Sequence, residues 1–257
     1  KTPAGLFGKV QSGTVKNVKV VNADVHGNYS AAVVVAHGVC AKIDNCHVED
    51  AVVVSTPYEK DEANNVGGIV GFLGADGGSA WVKDCTVTDA DITAYRKVGG
   101  VVGSANQATV VTGNSVEESR ITADQTAEYK EDKAVDLGPI VGFKHAQATV
   151  ENNTEVVNEK GNNTVKIIHK IGTVEELTDL VSNAIVNLAP GEYNLTQDVT
   201  ITGMPVEVTD GHVVVNGQNY TITAGSAGHY AMITNGADAS LVIDASVASL
   251  GGGLAAD

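Results

Sequence analysis

Apolar residues recur in a two-part pattern along roughly the first 156 positions. The first part is a pair of apolar residues, usually flanked by small ones. It reads Gly5-Leu6-Phe7-Gly8, Val33-Val34-Val35-Ala36, Gly68-Ile69-Val70-Gly71, Gly100-Val101-Val102-Gly103 and Pro139-Ile140-Val141-Gly142, with the last residues 28, 35, 32 and 39 positions apart. The second part begins at Val15, Ile43, Val82 and Val111. Three residues on stand Val18, Cys46, Cys85 and Asn114; five on, Val20, Val48, Val87 and Val116; ten on, Val25, Val53, Ile92 and Ile121. A fifth copy starts at Val150 and Asn153. It is expected to lose register at Glu155, where a valine would fall.

Side chains alternate along a strand, so offsets three and five share one strand face and do not mark one helical face. Most of the apolar residues are β-branched, which suits a pleated surface. Short strands repeated every 28 to 39 residues predict a solenoid whose equivalent positions stack. Adjacent coils would then lie about 4.8 Å apart. Glycine at the strand ends permits bends and close backbone approach. A β-sandwich of similar strand count is the alternative, and it does not require the copies to align.

The Gly-Leu-Phe-Gly, Gly-Ile-Val-Gly and Gly-Val-Val-Gly stretches, each followed by Val-x-x-Val/Cys/Asn-x-Val, resemble the GLUG repeat over about residues 5 to 156. The second copy lacks both glycines, and the fifth has Pro139 where the first glycine belongs. The resemblance implies a bacterial secreted or surface protein, adhesin-like in some members. The repeat is structural and implies no catalytic residue.

The repeats define a first domain, 1–160, and the remainder a second, 161–257. Polar stretches at 54–66 and 122–137 interrupt the repeats and read as solvent-facing insertions. Asn158-Glu159-Lys160-Gly161-Asn162-Asn163 is turn-rich, and Val165–His169 reads as a strand. Thr173 and Glu176 form a capping box for a short amphipathic helix over roughly 174–184. Beyond it, Leu188-Ala189-Pro190-Gly191-Glu192-Tyr193 and Asn216-Gly217-Gln218-Asn219-Tyr220-Thr221-Ile222 are similar to opening coils of pectate-lyase-like right-handed β-helices. The expected fold is therefore all-β, a parallel β-helix-like solenoid with one short capping helix between two segments.

The chain is 43% hydrophobic but only 4% aromatic, so its core is built from Val, Ile, Leu and Ala. Its net charge of −15 argues against nucleic-acid or anionic-membrane partners, both of which favour basic patches. It is compatible with an extracellular surface or with cation binding. No apolar stretch is long enough to span a bilayer. A segment carrying a leader or lipid anchor is expected to precede Lys1.

Of the three cysteines, Cys46 and Cys85 hold the same repeat position. Two buried thiols in an inward ladder are the simpler reading. A bridge between neighbouring coils is the other, since their Cα atoms would fall within disulfide range. No Cys-x-x-Cys pair or clustered histidine accompanies them, which argues against zinc.

Candidate chemistry is sparse. A pectate-lyase-like enzyme would want acidic calcium ligands and a basic residue to remove a proton. The two arginines, Arg96 and Arg120, both lie in the first segment, and Lys170 is the last lysine. His212 and His229 read as exposed turn histidines, and no pair of carboxylates stands out for glycoside hydrolysis. Trp81, the single tryptophan, is either a sugar-stacking platform or ordinary packing. Seven residues into each second half-motif come Asn22, Asp50, Asp89 and Glu118. Stacked in register, Asp50, Asp89 and Glu118 would repel one another. Splaying into solvent relieves this, and calcium bound to the column is the sharper alternative. The expected function is a non-catalytic surface or secreted module, for adhesion or as a scaffold binding a host protein or glycan. A carbohydrate-active β-helix enzyme is the alternative.

Overall fold

The computed structural model describes residues 2–56, 64–125, 135–156, 164–171, 188–201, 206–224, 231–235, 237–243, 249–251 and 254–256. These residues are all-β, built from stacked parallel coils, and contain no helix. The predicted helix at 174–184 and most of the two polar insertions lie outside them. The chain divides into two compact units, Lys1–Asp124 with Tyr129–Lys166, and Gln125–Glu128 with Ile167–Asp257.

The first unit is a five-coil solenoid. One full coil runs through four faces: Asn65–Gly67 (face A), Val70–Gly74 (face B), Ala80–Lys83 (face C) and Thr86–Ala94 (face D). Each strand pairs in parallel with its equivalents in the coils before and after. On face B, Phe7 pairs with Val35, Val35 with Val70, Val70 with Val102, and Val102 with Val141. On face C the column is Val15, Ile43, Val82, Val111, Val150. Face D carries Val20, Val48, Val87 and Val116, then Val25, Val53, Ile92 and Ile121. The sequence offsets are therefore physical columns, and Val48, Val53, Val87, Ile92, Val116 and Ile121 are almost wholly buried. Burying each such side chain contributes about 1.5–3 kcal/mol. The first coil pairs on one side and is the least covered, with Leu6, Phe7 and Val21 exposed.

Two expectations need correction. The fifth copy does not lose register at Glu155: Thr154, Glu155 and Val156 pair with Ser115, Val116 and Glu117. Main-chain hydrogen bonds carry the ladder past the charged residue, which stands exposed at that edge. Offsets three and five also do not share one strand. Between faces C and D the chain turns at Asn17, Asn45, Asp84, Gly113 and Asn152, all at φ between 48° and 71°. Cys46 and Cys85 point inward from that corner, and Val48 and Val87 from the next strand. The second coil forms without the motif glycines: Val33 stands level with Gly68 and Ala36 level with Gly71, both buried.

Where glycine occurs at these positions, closeness explains it. A Cβ on Gly71 would lie 2.6, 2.8 and 2.9 Å from the carbonyl oxygens of Ala36, Asn65 and Ala31. At Gly71 itself a Cβ would have to displace main-chain carbonyls of both faces, although the equivalent Ala36 is accommodated one coil earlier.

The second unit repeats three-strand coils. Gly191–Leu195, His212–Asn216 and Ser240–Ile243 stack as one face; Val199–Ile201, Thr221–Ala224 and Ser249–Gly251 as another; Val206–Val208, Met232–Thr234 and Leu254–Ala256 as the third. Val199, Ile201, Val206, Val208, Val213 and Val215 all face its core. Tyr193 is wholly buried there and donates its hydroxyl to Ala189 O at 2.8 Å; burial pushes its pKa up.

Candidate functional site

The outward side of face C brings two lysines against the single tryptophan. Trp81 pairs with Lys42 of the preceding coil and with Val110 of the next. The Lys42 ammonium stands 4.8 Å from the Trp81 ring centroid, and that of Lys83, two residues along the same strand, at 5.0 Å. Both lie within cation–π range. Alternation forces this arrangement: Ile43 and Val82 turn inward, so their neighbours Lys42, Trp81 and Lys83 turn outward. Lys16, Asp44 and Lys83 occupy the adjacent column. Three lysines and one carboxylate thus frame the single tryptophan of a chain with net charge −15.

Face B carries a second aromatic column. Lys9, His37, Phe72, Ser104 and Phe143 are equivalent residues in successive coils. His37 stacks on Phe72 with ring centroids 4.5 Å apart and planes within 6°, and Tyr29 also stacks with His37, at 6.3 Å. Burial, and secondarily Lys9, lowers the pKa of His37, whose Nδ1 is buried without a hydrogen-bond partner. Lys97 sits over the Phe143 ring at 3.9 Å, and burial lowers its pKa. Each residue of this column follows the small residue that ends the apolar pair. That fixed offset is the signal by which the sequence announces the column; the apolar offsets did not include it.

The acidic column has a backbone explanation. Asn22, Asp50 and Asp89 each sit in the middle of a nine-residue strand at φ of 55°, 52° and 51°. Glu118, at 48°, occupies the same place between Ser115–Glu117 and Arg120–Gln125. Aspartate and asparagine tolerate this left-handed conformation better than other side chains with a Cβ. Asp50, Asp89 and Glu118 are exposed. Among the described residues, no three or more His, Cys, Asp or Glu side chains gather closely enough to hold a metal ion. Arg120 meets Asp91 in a two-pronged ion pair, both contacts 2.7 Å, beside this column.

The corner between faces C and D holds the inward ladder of Val18, Cys46, Cys85, Asn114 and Asn153. In the second, third and fourth coils the backbone N–H is received by the side chain of the next coil. Cys46 N–H donates to Cys85 Sγ at 3.4 Å, Cys85 N–H to Asn114 Oδ1 at 3.0 Å, and Asn114 N–H to Asn153 Oδ1 at 3.0 Å. The Asn114 amide also donates to Val82 O and Thr112 O, each at 3.1 Å, and to Asn153 Oδ1 at 2.8 Å. Cys40, Cys46 and Cys85 are all free thiols.

In the second unit His212 opens a strand and does not sit in a turn; its Nδ1 lies 2.7 Å from Ser240 Oγ. His229 lies outside the described residues. Comparison with protein-family models, with characterised proteins and with solved structures gave no match.

Proposed function

We propose that the chain is a non-catalytic binding module, secreted or displayed on a bacterial cell surface, whose stacked coils hold outward-facing ligand columns in fixed register. The observation that carries this reading is the Lys42–Trp81–Lys83 cluster on face C. The ammonium groups are 4.8 and 5.0 Å from one indole ring, on a rigid sheet. Such an array suits an anionic glycan: lysines meet its carboxylates or sulfates, and the indole offers an apolar edge to its sugar rings. The resemblance of the repeats to GLUG sequences agrees with an adhesive or scaffolding role at a bacterial surface.

The single tryptophan makes the test direct. Trp81 fluorescence is followed while a polyuronate, a sulfated glycosaminoglycan and a neutral glucan are titrated in. The expected result is a saturable change with an anionic polymer, absent with the glucan and abolished in Lys42→Ala/Lys83→Ala. No change with any polymer would contradict the reading. So would depolymerisation of any of them abolished by a single carboxylate substitution, which would make the protein a carbohydrate-active enzyme.

A further inference from the structure

We propose that Cys46 and Cys85 are a built-in disulfide site, which under oxidising conditions closes a covalent bridge between the second and third coils. The two residues occupy the same corner of successive coils. Their flanking residues are already in register, Asp44 with Lys83 and His47 with Thr86. Main-chain bonds clamp both sides: Asn45 N–H to Lys83 O at 3.0 Å and Thr86 N–H to Cys46 O at 3.0 Å. Neighbouring strands lie about 4.8 Å apart, inside the Cα separation of about 4.4–6.8 Å that a disulfide accepts.

Cys85 Sγ already faces the second coil, whereas Cys46 Sγ lies 3.8 Å from Val15 O of the first coil and turns about its Cα–Cβ bond to meet it. Cys85 Sγ receives the Cys46 N–H, and Cys46 Sγ reaches back toward Asp44 O at 3.4 Å. Once Cys46 ionises, the Cys85 thiol hydrogen-bonds its sulfur; this contact holds the Cys46 pKa down to about 7 against burial, and pushes that of Cys85 up. A thiolate near neutral pH is the nucleophile that disulfide exchange requires.

The rest of the ladder sharpens the point. Its structural task is to accept the N–H of the coil before it, and in the fourth and fifth coils asparagine does this with 3.0 Å bonds. Sulfur is a weaker acceptor than an amide oxygen. Two consecutive thiols therefore perform the ladder's task poorly, but bonded to each other they lock two coils across the polar stretch 54–66.

The chemistry balances with a small dialkyl disulfide, such as oxidised glutathione, as oxidant. The Cys46 thiolate attacks one of its sulfurs, expelling a small thiolate and forming a mixed disulfide. The Cys85 thiol gives its proton to the first expelled thiolate and then attacks Cys46 Sγ, expelling the second small thiolate. The protein loses two electrons and two protons, and the oxidant is reduced to two thiols. Both protein sulfurs are buried, so the bond forms as the coils close or during local opening. Cys40 is spent elsewhere, its Sγ donating to Ala75 O at 2.7 Å, and remains a thiol.

The full chain is denatured under reducing conditions, refolded in a glutathione redox buffer, alkylated, and examined by intact mass and peptide mapping. The expected result is loss of two hydrogens, one alkylated cysteine per chain, and a linked peptide pair containing Cys46 and Cys85. The Cys40→Ser variant should behave alike and keep no alkylatable thiol. Three alkylated cysteines in correctly refolded protein, verified by its β-type circular dichroism, would overturn the proposal. Persistent glutathione adducts on Cys46, or a bridge through Cys40, would overturn it equally.

Discussion

Asn114→Ala tests the inward ladder where it is strongest. Asn114 is 1% exposed, and its amide bonds to three coils at once. The substitution removes the acceptor of Cys85 N–H at 3.0 Å and the donor to Val82 O and Thr112 O at 3.1 Å. It also removes the donor to Asn153 Oδ1 at 2.8 Å, though that oxygen keeps the Asn114 main-chain N–H. The orphaned Cys85 N–H alone costs about 1–3 kcal/mol, since water cannot replace the lost partner. The carbonyls retain a second lone pair each and add less. We expect about 2–4 kcal/mol in total. Urea unfolding followed by circular dichroism measures this as a shift in midpoint at constant slope. Asn114→Cys should fall between wild type and alanine, because it installs the weak acceptor that the second and third coils already use. A loss below about 0.5 kcal/mol for Asn114→Ala, within the range of a neutral surface change, would refute the burial and bonding assigned to this ladder.

Further outcomes follow from the same geometry. Gly71→Ala should destabilise severely, because its Cβ would crowd three carbonyl oxygens at 2.6–2.9 Å; expression that retains a wild-type melting temperature would contradict the close packing of faces A and B. Asp89→Asn should leave the melting temperature unchanged with or without millimolar calcium, whereas Asp89→Val should cost about 1–2 kcal/mol for a β-branched residue forced into a left-handed turn; a calcium-dependent rise lost in Asp89→Asn would restore a metal to the column. His37 has a folded pKa below its unfolded 6.5, so the unfolded chain binds more protons near pH 6 and this residue's share of stability is lost as pH falls through 6.5. Melts of His37→Phe between pH 7.5 and 5 should therefore be flatter than wild type, and an unchanged slope would count against the lowered pKa of this half-buried imidazole.

The columns of valine and isoleucine were legible because a buried stack tolerates only β-branched or similar residues, leaving a fixed offset in the sequence. The acidic column was legible as a position but not as a cause. Aspartate looks like a charge in one dimension, and the φ of 51° at Asp89 that accounts for it belongs to the folded backbone. The register at Glu155 was misread for a related reason. Side-chain pattern marks where a coil is buried, whereas main-chain pairing continues to its edge regardless of polarity. The face C cluster was half legible: Trp81 was conspicuous, but its lysines emerge only when Lys42 is set one coil beneath it. The stack of Tyr29, His37 and Phe72 was missed, since residues 35 positions apart become neighbours only through the coil.

In-register stacking of successive coils underlies every one of these properties. Nuclear Overhauser contacts between methyl groups, in protein labelled at Ile, Leu and Val methyls, measure it directly. Val48, Val87 and Val116 should give sequential cross-peaks, Val48 with Val87 and Val87 with Val116, and Val53, Ile92 and Ile121 should do the same. Absence of cross-peaks from Val87 to both of its neighbours, with Val87 instead contacting residues of its own repeat alone, would contradict the stacked solenoid.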